Sequence, residues 1–447
     1  MFKKILRYLK KFRCKFKKLW NILRSSDREK LVEVLPRVFR KLQKWTGVVH
    51  GESFLQLLER VAFPEFWLKL GKNTIYKLKE YFYFLIFLSA FSITAESGAQ
   101  MLDMAAIIGP NADTLLYHLS KFSFQEVQSI MEKLNAVIFQ EARRHFQRGF
   151  WKKAFPIAID FTDLPFYGKK SVPGIVGGKK KASTYWHYRF IALTIIQKQV
   201  RFTLAVLPVL PFDTTVPLLK RLFKKAEQFI QIKYIEVDRG FFTKEVIHFF
   251  MQRNYKFLMP AVKNNQIKEK IRAFHAGKIA PSFQYQFKKK NSEKENETFT
   301  VFITKAETKK KKSQKPRKKT KKRQTLFELY HVFATNKKLR KQSTEALQKV
   351  ADQYRARWGI ETGFKMVNFF RIKTTSTNFV IRVFFYLFAV VIYNLWILYN
   401  LLHRHKRQKR YTLPTPRVKM LLLLKALQIL DKIGDEKVQK LTGGDSP

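Results

Sequence analysis

Phe155-Pro-Ile-Ala-Ile-Asp160 reads as a buried strand: an apolar run rich in β-branched residues, closed by a single carboxylate. Further on, Tyr185 to Ile196 and Val200 to Leu207 are aromatic and β-branched, which suggests a hairpin of two more strands. Thr214 to Ile230 has helical spacing, with Leu218, Leu219, Leu222, Phe223 and Ala226 on its apolar stripe. Ile232 to Asp238 is a second strand ending in an acid, and a helix follows from Thr243 to Gln252. Three strands and then alternating helix and strand predict a mixed α/β sheet with flanking helices.

Beyond this block the pattern divides the chain. Residues 151–261 and 327–402 read as the two parts of one α/β core. Between them, 262–326 is a β-rich, basic insertion, where strand-like pieces such as Thr298 to Thr304 lead into a lysine run. From Lys309 to Arg323, 11 of 15 residues are Lys or Arg, a composition that suits a solvated linker or a loop lying on DNA. Strand character returns at Leu329 to Ala334, a long helix is predicted from about Thr344 to Phe370, and an apolar helix follows. Residues 1–50 form a basic helical arm with 16 Lys and Arg. Residues 51–150 are an all-α region, and 403–447 a tail with one amphipathic helix from Thr412 to Ile433. Within 51–150, one helix starts at Thr94 and a second runs from Thr114 to Phe122 with Asp113 as its N-cap, separated by Ile108-Gly-Pro-Asn-Ala. That pair fits a helix-turn-helix or an ordinary helical hairpin.

Charge narrows the function. Against 88 Lys and Arg stand 33 Asp and Glu, a formal net charge of +55 over 447 residues. Such an excess repels itself unless a polyanion neutralises it, and nucleic-acid phosphate is the natural counter-charge. The basic residues run along the whole chain and not on one amphipathic helix, which disfavours a membrane-surface role. Cys14 is the only cysteine, so intrachain disulfides and thiolate zinc sites are excluded and a reducing, cytoplasmic setting fits. The first residues alternate basic and apolar side chains without the apolar core of a signal peptide. Tyr81 to Phe91 is too short to span a bilayer. Val383 to Leu402 is long enough, but with Asn394 and Asn400 inside it and Arg382 directly before it, it is expected to be a buried core helix.

Three acids stand out. Asp160 and Asp238 close two predicted strands, where side chains project into the crevice beyond a sheet. An aspartate there also serves as a turn or helix cap, but a pair of carboxylates on one sheet calls for a cation, and Mg²⁺ prefers such oxygens. On the long helix, Tyr354, Arg357, Glu361 and Lys365 follow one another at +3, +4 and +4, one stripe down one face. That stripe suits a solvated face with ion pairs, or phosphate contacts around a metal-binding glutamate.

Ala158-Ile-Asp160-Phe-Thr-Asp-Leu-Pro-Phe-Tyr-Gly168, Val237-Asp238-Arg-Gly-Phe-Phe242 and Tyr354-Arg-Ala-Arg357-Trp-Gly-Ile-Glu361 resemble, in this order, the acid motifs of DDE-type insertion-sequence transposases. The resemblance covers roughly residues 90–402 and is closest to the archaeal branch, with a β-rich insertion before the last acid. It implies a ribonuclease H-like fold in which Asp160, Asp238 and Glu361 bind two divalent ions, Mg²⁺ or Mn²⁺. It also implies an endonuclease and strand transferase acting on double-stranded DNA, both the terminal inverted repeats of an element and the target, as a homodimer on DNA and without membrane association. The setting implied is a prokaryotic cytoplasm, with the protein associated with the nucleoid. Tyr354, Arg357, Lys365, Arg239 and the lysines Lys309, Lys310, Lys318 and Lys319 are the expected DNA contacts. The sequence departs from the pattern at Asn368, where the family carries lysine; Lys365 and Lys373 are the candidate substitutes. Asp163 stands beside Asp160 as an alternative first ligand. A catalytically inactive or domesticated DNA-binding descendant is the second reading of the same features.

Overall fold

The computed structural model describes residues 57 to 406 apart from 105, 146–152, 198–199, 288–296, 307–324 and 340–341. The basic arm, the tail helix expected from Thr412, and the lysines Lys309, Lys310, Lys318 and Lys319 lie outside the described residues. The chain divides into two units: residues 146–365, and residues 1–145 together with 366–447.

The first of these contains one nine-stranded mixed sheet. Its strands are β1 (Phe155–Pro165), β2 (Val176–Lys181), β3 (Thr184–Ile195), β4 (Thr203–Val209), β5 (Ile232–Val237), β6 (Phe257–Pro260), β7 (Ser282–Tyr285), β8 (Phe299–Lys305) and β9 (Tyr330–Thr335). They lie in the order β2-β3-β1-β5-β6-β9-β8-β7, with β4 also paired to β3. β1, β5 and β6 are parallel neighbours, and every other pair is antiparallel. The parallel strands bury most of their apolar residues, while β5 also carries the exposed Lys233 and the buried Glu236. β3 carries β4 along one stretch of its outer edge and β2 along the next.

Helices α5 (Thr215–Ala226), α6 (Lys244–Gln252) and α7 (Asn265–His275) connect these strands. The side chains of Thr243 and Asn264 accept hydrogen bonds from Val246 N and Ile267 N, capping the starts of α6 and α7. The strands within 262–326 do not form a separate module, as β8 pairs with β9 and prolongs the same sheet. That stretch also contains α7, a helix that its short apolar repeat did not announce.

The long helix expected over 344–370 is broken. α8 (Thr344–Gln353) ends in a 3₁₀ turn, Tyr354–Arg357, before α9 (Trp358–Phe370) begins. α8 packs Leu347 and Ala351 onto Leu258, Phe302 and Phe333 of β6, β8 and β9. In α9, Ile360 is fully buried against Ala158 of β1 and Ile196, with Ala356 and Phe364 flanking it. Positions 356, 360 and 364 form one i, i+4 row, so the adjacent row, 357 and 361, is held over the next residues of β1.

The other unit is helical: α1 (Leu78–Phe91), α2 (Ala95–Met104), α3 (Ala112–Ser120), α4 (Phe124–His145) and α10 (Phe379–Lys406). α1 is buried from Glu80 to Ala90, as expected for Tyr81 to Phe91. Asn111, not Asp113, takes the N-cap position of α3, and Asp113 falls in its first turn. Residues 379–402 of α10, expected with the α/β core, group with these helices. The stretch Phe379–Leu402 is long and apolar enough to cross a membrane, yet its faces are covered by protein, chiefly α3 and α4. Asn394 Nδ2 donates to Asn135 Oδ1 at 2.8 Å, a polar lock inside that packing.

Candidate active site

Asp160 lies within β1 and not at its end, because β1 runs on to Pro165 against β3. What ends there is the parallel partner. Ile159 opposite Val237 is the last β1–β5 pair, so Asp160 and Asp238 are the next residues on two adjacent parallel strands. β5 stops at Asp238 because a 3₁₀ turn, Arg239–Phe241, begins with Phe241 N donating to Asp238 O at 3.0 Å. Phe241 stacks on Phe161 with centroids 5.2 Å apart, which fixes that turn to β1. Asp238 and Arg239 are both exposed.

Arg357 completes the arrangement. Its side chain is 8% exposed, and its Nη1 donates to Asp160 Oδ2 at 2.7 Å while Nη2 donates to Glu361 Oε1 at 2.8 Å. One guanidinium therefore bridges the strand aspartate and the helix glutamate. Tyr354 OH donates to the carbonyl of Val237 at 3.1 Å, pinning the end of β5 beside Asp238. Asp160 also accepts from Phe161 N at 2.8 Å. Burial pushes its carboxyl up to about 6, with Asp238 adding to the rise, while Arg357 and the Phe161 amide hold it from going higher. Burial raises the Tyr354 phenol as well. Lys365 is exposed one turn beyond Glu361. Asn368 is exposed on the same helix. Lys373 lies in the helical unit, where its amide donates to Ile93 O at 3.0 Å.

Asp163 is placed elsewhere. Three residues on from Asp160, it points to the opposite face of β1. There it pairs with Arg189 at 2.6 Å and Lys181 at 2.7 Å with only 5% of its side chain exposed. Burial raises its pKa, but hydrogen bonds and charges from Arg189 and Lys181 outweigh that, and the carboxyl sits below its ordinary value.

Glu236 escaped the sequence reading. It is fully buried on β5, two residues before Asp238 and therefore on the same face, and neither carboxylate oxygen has a hydrogen-bond partner of ordinary geometry. Burial raises its pKa to about 8, against the opposing pull of Lys337, the nearby Arg357 amide and the Arg357 charge. Burial in turn lowers Lys337 to about 8; its ammonium sits 3.4 Å from the Tyr234 ring centroid. An acid inside the apolar run Ile235-Glu236-Val237 was the available signal. A carboxyl with a raised folded-state pKa contributes fully to stability below its ordinary value of 4.5, and that contribution is lost as pH rises toward 8. Glu236→Gln is therefore expected to raise the melting temperature at pH 8 and leave it nearly unchanged at pH 4. Equal shifts at the two pH values would contradict this assignment.

Among the described residues, no three His, Cys, Asp or Glu side chains are grouped closely enough to share one metal ion. The donor chemistry nonetheless fits a hard divalent cation. Asp160, Asp238 and Glu361 offer carboxylate oxygens, the charge of Asp238 raises Asp160, and a cation, the Arg357 guanidinium, already bridges two of the three.

The sequence profile of the family described as "Transposase DDE domain" matches residues 152–395. The comparison with curated proteins gives no match. Among solved structures, the chain is similar to the piggyBac transposase in a cryo-EM structure of its synaptic complex with hairpin DNA. The TM-score is 0.55 at 11% sequence identity, covering 85% of this chain and 81% of that one. At that identity the likeness is one of fold: a mixed sheet flanked by helices, with a helical N-terminal region.

Proposed function

The chain belongs to the DDE transposase family, and from that premise we propose that it cleaves the ends of a mobile DNA element and joins them to target DNA. The observation that carries this proposal is the meeting of Asp160 and Glu361 on one buried guanidinium, with Asp238 on the adjacent parallel strand. Asp160, Asp238 and Glu361 hold divalent cations, Mg²⁺ or Mn²⁺, two per site, on a ribonuclease H-like sheet. Divalent ions held there would supply activation of the attacking oxygen and stabilisation of the leaving oxygen in an in-line phosphodiester displacement.

The chain's own groups do the positioning. Tyr354 fixes the end of β5 through the Val237 carbonyl and so sets where Asp238 stands. Arg357 presents a planar fork that matches phosphate as well as carboxylate. Lys365 and Arg239 are exposed beside the acids and suit backbone phosphate contacts, as do the lysines of 309–319. With Asn368 where the family has lysine, Lys365 is the cation carried on the same helix. The partner is double-stranded DNA, engaged by a homodimer that brings two ends together.

The test is incubation of the protein with end-labelled terminal-repeat DNA and Mg²⁺ or Mn²⁺. Metal-dependent nicking that disappears in Asp238→Ala supports the proposal. Tight binding without nicking assigns the chain to the second reading, a DNA-binding descendant that has lost its chemistry.

A further inference from the structure

The hairpin of β2 and β3 is a strongly one-sided charged feature among the described residues of the sheet unit. From Leu164 to Phe212 the sequence has eight Lys and Arg and neither Asp nor Glu. Five of the eight are Lys169 and Lys170, in the loop before β2, and Lys179, Lys180 and Lys181, at its end; all five are exposed. Lys181 is neutralised by Asp163, but the other four have no acid partner among the described residues. Aromatic rings are interleaved with them. Lys170 Nζ lies 5.3 Å from the Trp186 ring centroid and Lys180 Nζ 5.8 Å from that of Tyr185. Tyr185 is 56% and Tyr167 71% exposed.

The hairpin is built to hold its shape. The strands are joined by Ala182 and Ser183, with φ of 46° and 67°, positions where asparagine and glycine are normally chosen. Tyr167 OH donates to Ala182 O at 2.8 Å and Thr184 Oγ1 to Phe166 O at 2.8 Å, tying the preceding loop to the tip. Lysines on an edge strand also discourage edge-to-edge pairing. That role accounts for β2 but not for Lys169 and Lys170 in the loop, nor for the exposed rings.

Position selects the partner. Pro165 pairs with His187, so β3 residues before His187 reach past the last β1 pair, and the tip projects from the C-terminal end of β1, in the direction in which the β1–β5 pairing gives way to Asp160 and Asp238. At about 3.3 Å per strand residue the tip lies roughly 30 Å from Asp160 along the strand direction. That is the rise of about ten base pairs of duplex.

We propose that the β2–β3 hairpin is a second DNA-binding surface, gripping the phosphate backbone of the duplex about one helical turn from the cleaved phosphate through Lys169, Lys170, Lys179 and Lys180. This rests on the transposase reading but assigns a surface which that reading leaves unassigned. The Trp186 and Tyr185 rings hold the Lys170 and Lys180 ammonium groups by cation–π contact, and the tied tip keeps the hairpin in register with a duplex already engaged at the acids.

The test compares the parent protein with a variant carrying Lys169→Ala, Lys170→Ala, Lys179→Ala and Lys180→Ala, and with the milder pair Lys179→Gln and Lys180→Gln. Binding to terminal-repeat DNA is followed across a salt series and by hydroxyl-radical footprinting, with melting curves as the folding control. The slope of log affinity against log salt is expected to flatten by up to about 0.9 per lysine removed. The footprint is expected to lose its distal part, about ten base pairs from the cut, and to keep the part at the cut. An unchanged slope and footprint in a folded variant overturn the proposal. So does an unchanged footprint with lost self-association, which gives the surface to a protein partner. Parent protein that binds no DNA overturns the transposase reading instead.

Discussion

Glu361→Gln is expected to slow cleavage of end-labelled DNA by at least about a thousandfold, the scale seen when one member of a catalytic unit is removed. The glutamine keeps the size and the helix but loses the charge with which Glu361 holds a cation. Its only strong contact among the described residues is the pair with Arg357, and its side chain is 44% exposed. The glutamine Oε1 can still accept from Arg357 Nη2, and Asp160 still neutralises the guanidinium, so the variant is expected to fold and to bind DNA with affinity within a few fold of the parent. Single-turnover cleavage and a parallel binding assay decide the matter. Retention of most of the rate, or loss of binding in step with cutting, contradicts the assignment.

Arg357→Gln is expected to have the second largest effect, in a direction a purely structural role would not give. In the structure the guanidinium stands where a cation belongs, at 2.7 Å from Asp160 and 2.8 Å from Glu361. A divalent ion must displace two charge-assisted hydrogen bonds, each worth about 1.5–3 kcal/mol. Removing the competitor is expected to tighten Mn²⁺ binding to the DNA-free protein by roughly tenfold or more, since about 1.4 kcal/mol is a factor of ten. The same change leaves Asp160 without a counter-charge in metal-free buffer. The melting temperature is therefore expected to fall in chelator and to recover with Mn²⁺ more than in the parent. Calorimetric Mn²⁺ titration reads the first effect and thermal scans the second. Equal or weaker Mn²⁺ affinity in the variant contradicts the competition.

The sequence made the sheet legible because the mostly apolar stretches of β1 and β5 lead into Asp160 and Asp238. It also showed that Val383 to Leu402 would be buried: Asn394 is tolerated only where a partner such as Asn135 meets it. The 3₁₀ turn Tyr354–Arg357 was hidden, since a +3 and +4 stripe looks the same whether the helix is continuous or tightened for one turn. β2 was hidden for a different reason. Val-Gly-Gly-Lys-Lys-Lys has no strand propensity, and it becomes a strand only because β3 offers it an edge. The choice between Asp160 and Asp163 needed the register. Alternation places them on opposite faces, but only the pairing with Arg189 shows which face is already neutralised.

The central claim is that Asp160, Asp238 and Glu361 together hold the catalytic cations. Anomalous diffraction from crystals of the protein bound to its element end and soaked in Mn²⁺ tests it most directly. The account predicts Mn²⁺ peaks ligated by these three carboxylates, with the Arg357 guanidinium withdrawn from Asp160 toward a DNA phosphate. DNA cut in the crystal with Mn²⁺ bound elsewhere, or with Arg357 still bridging Asp160 and Glu361, contradicts it.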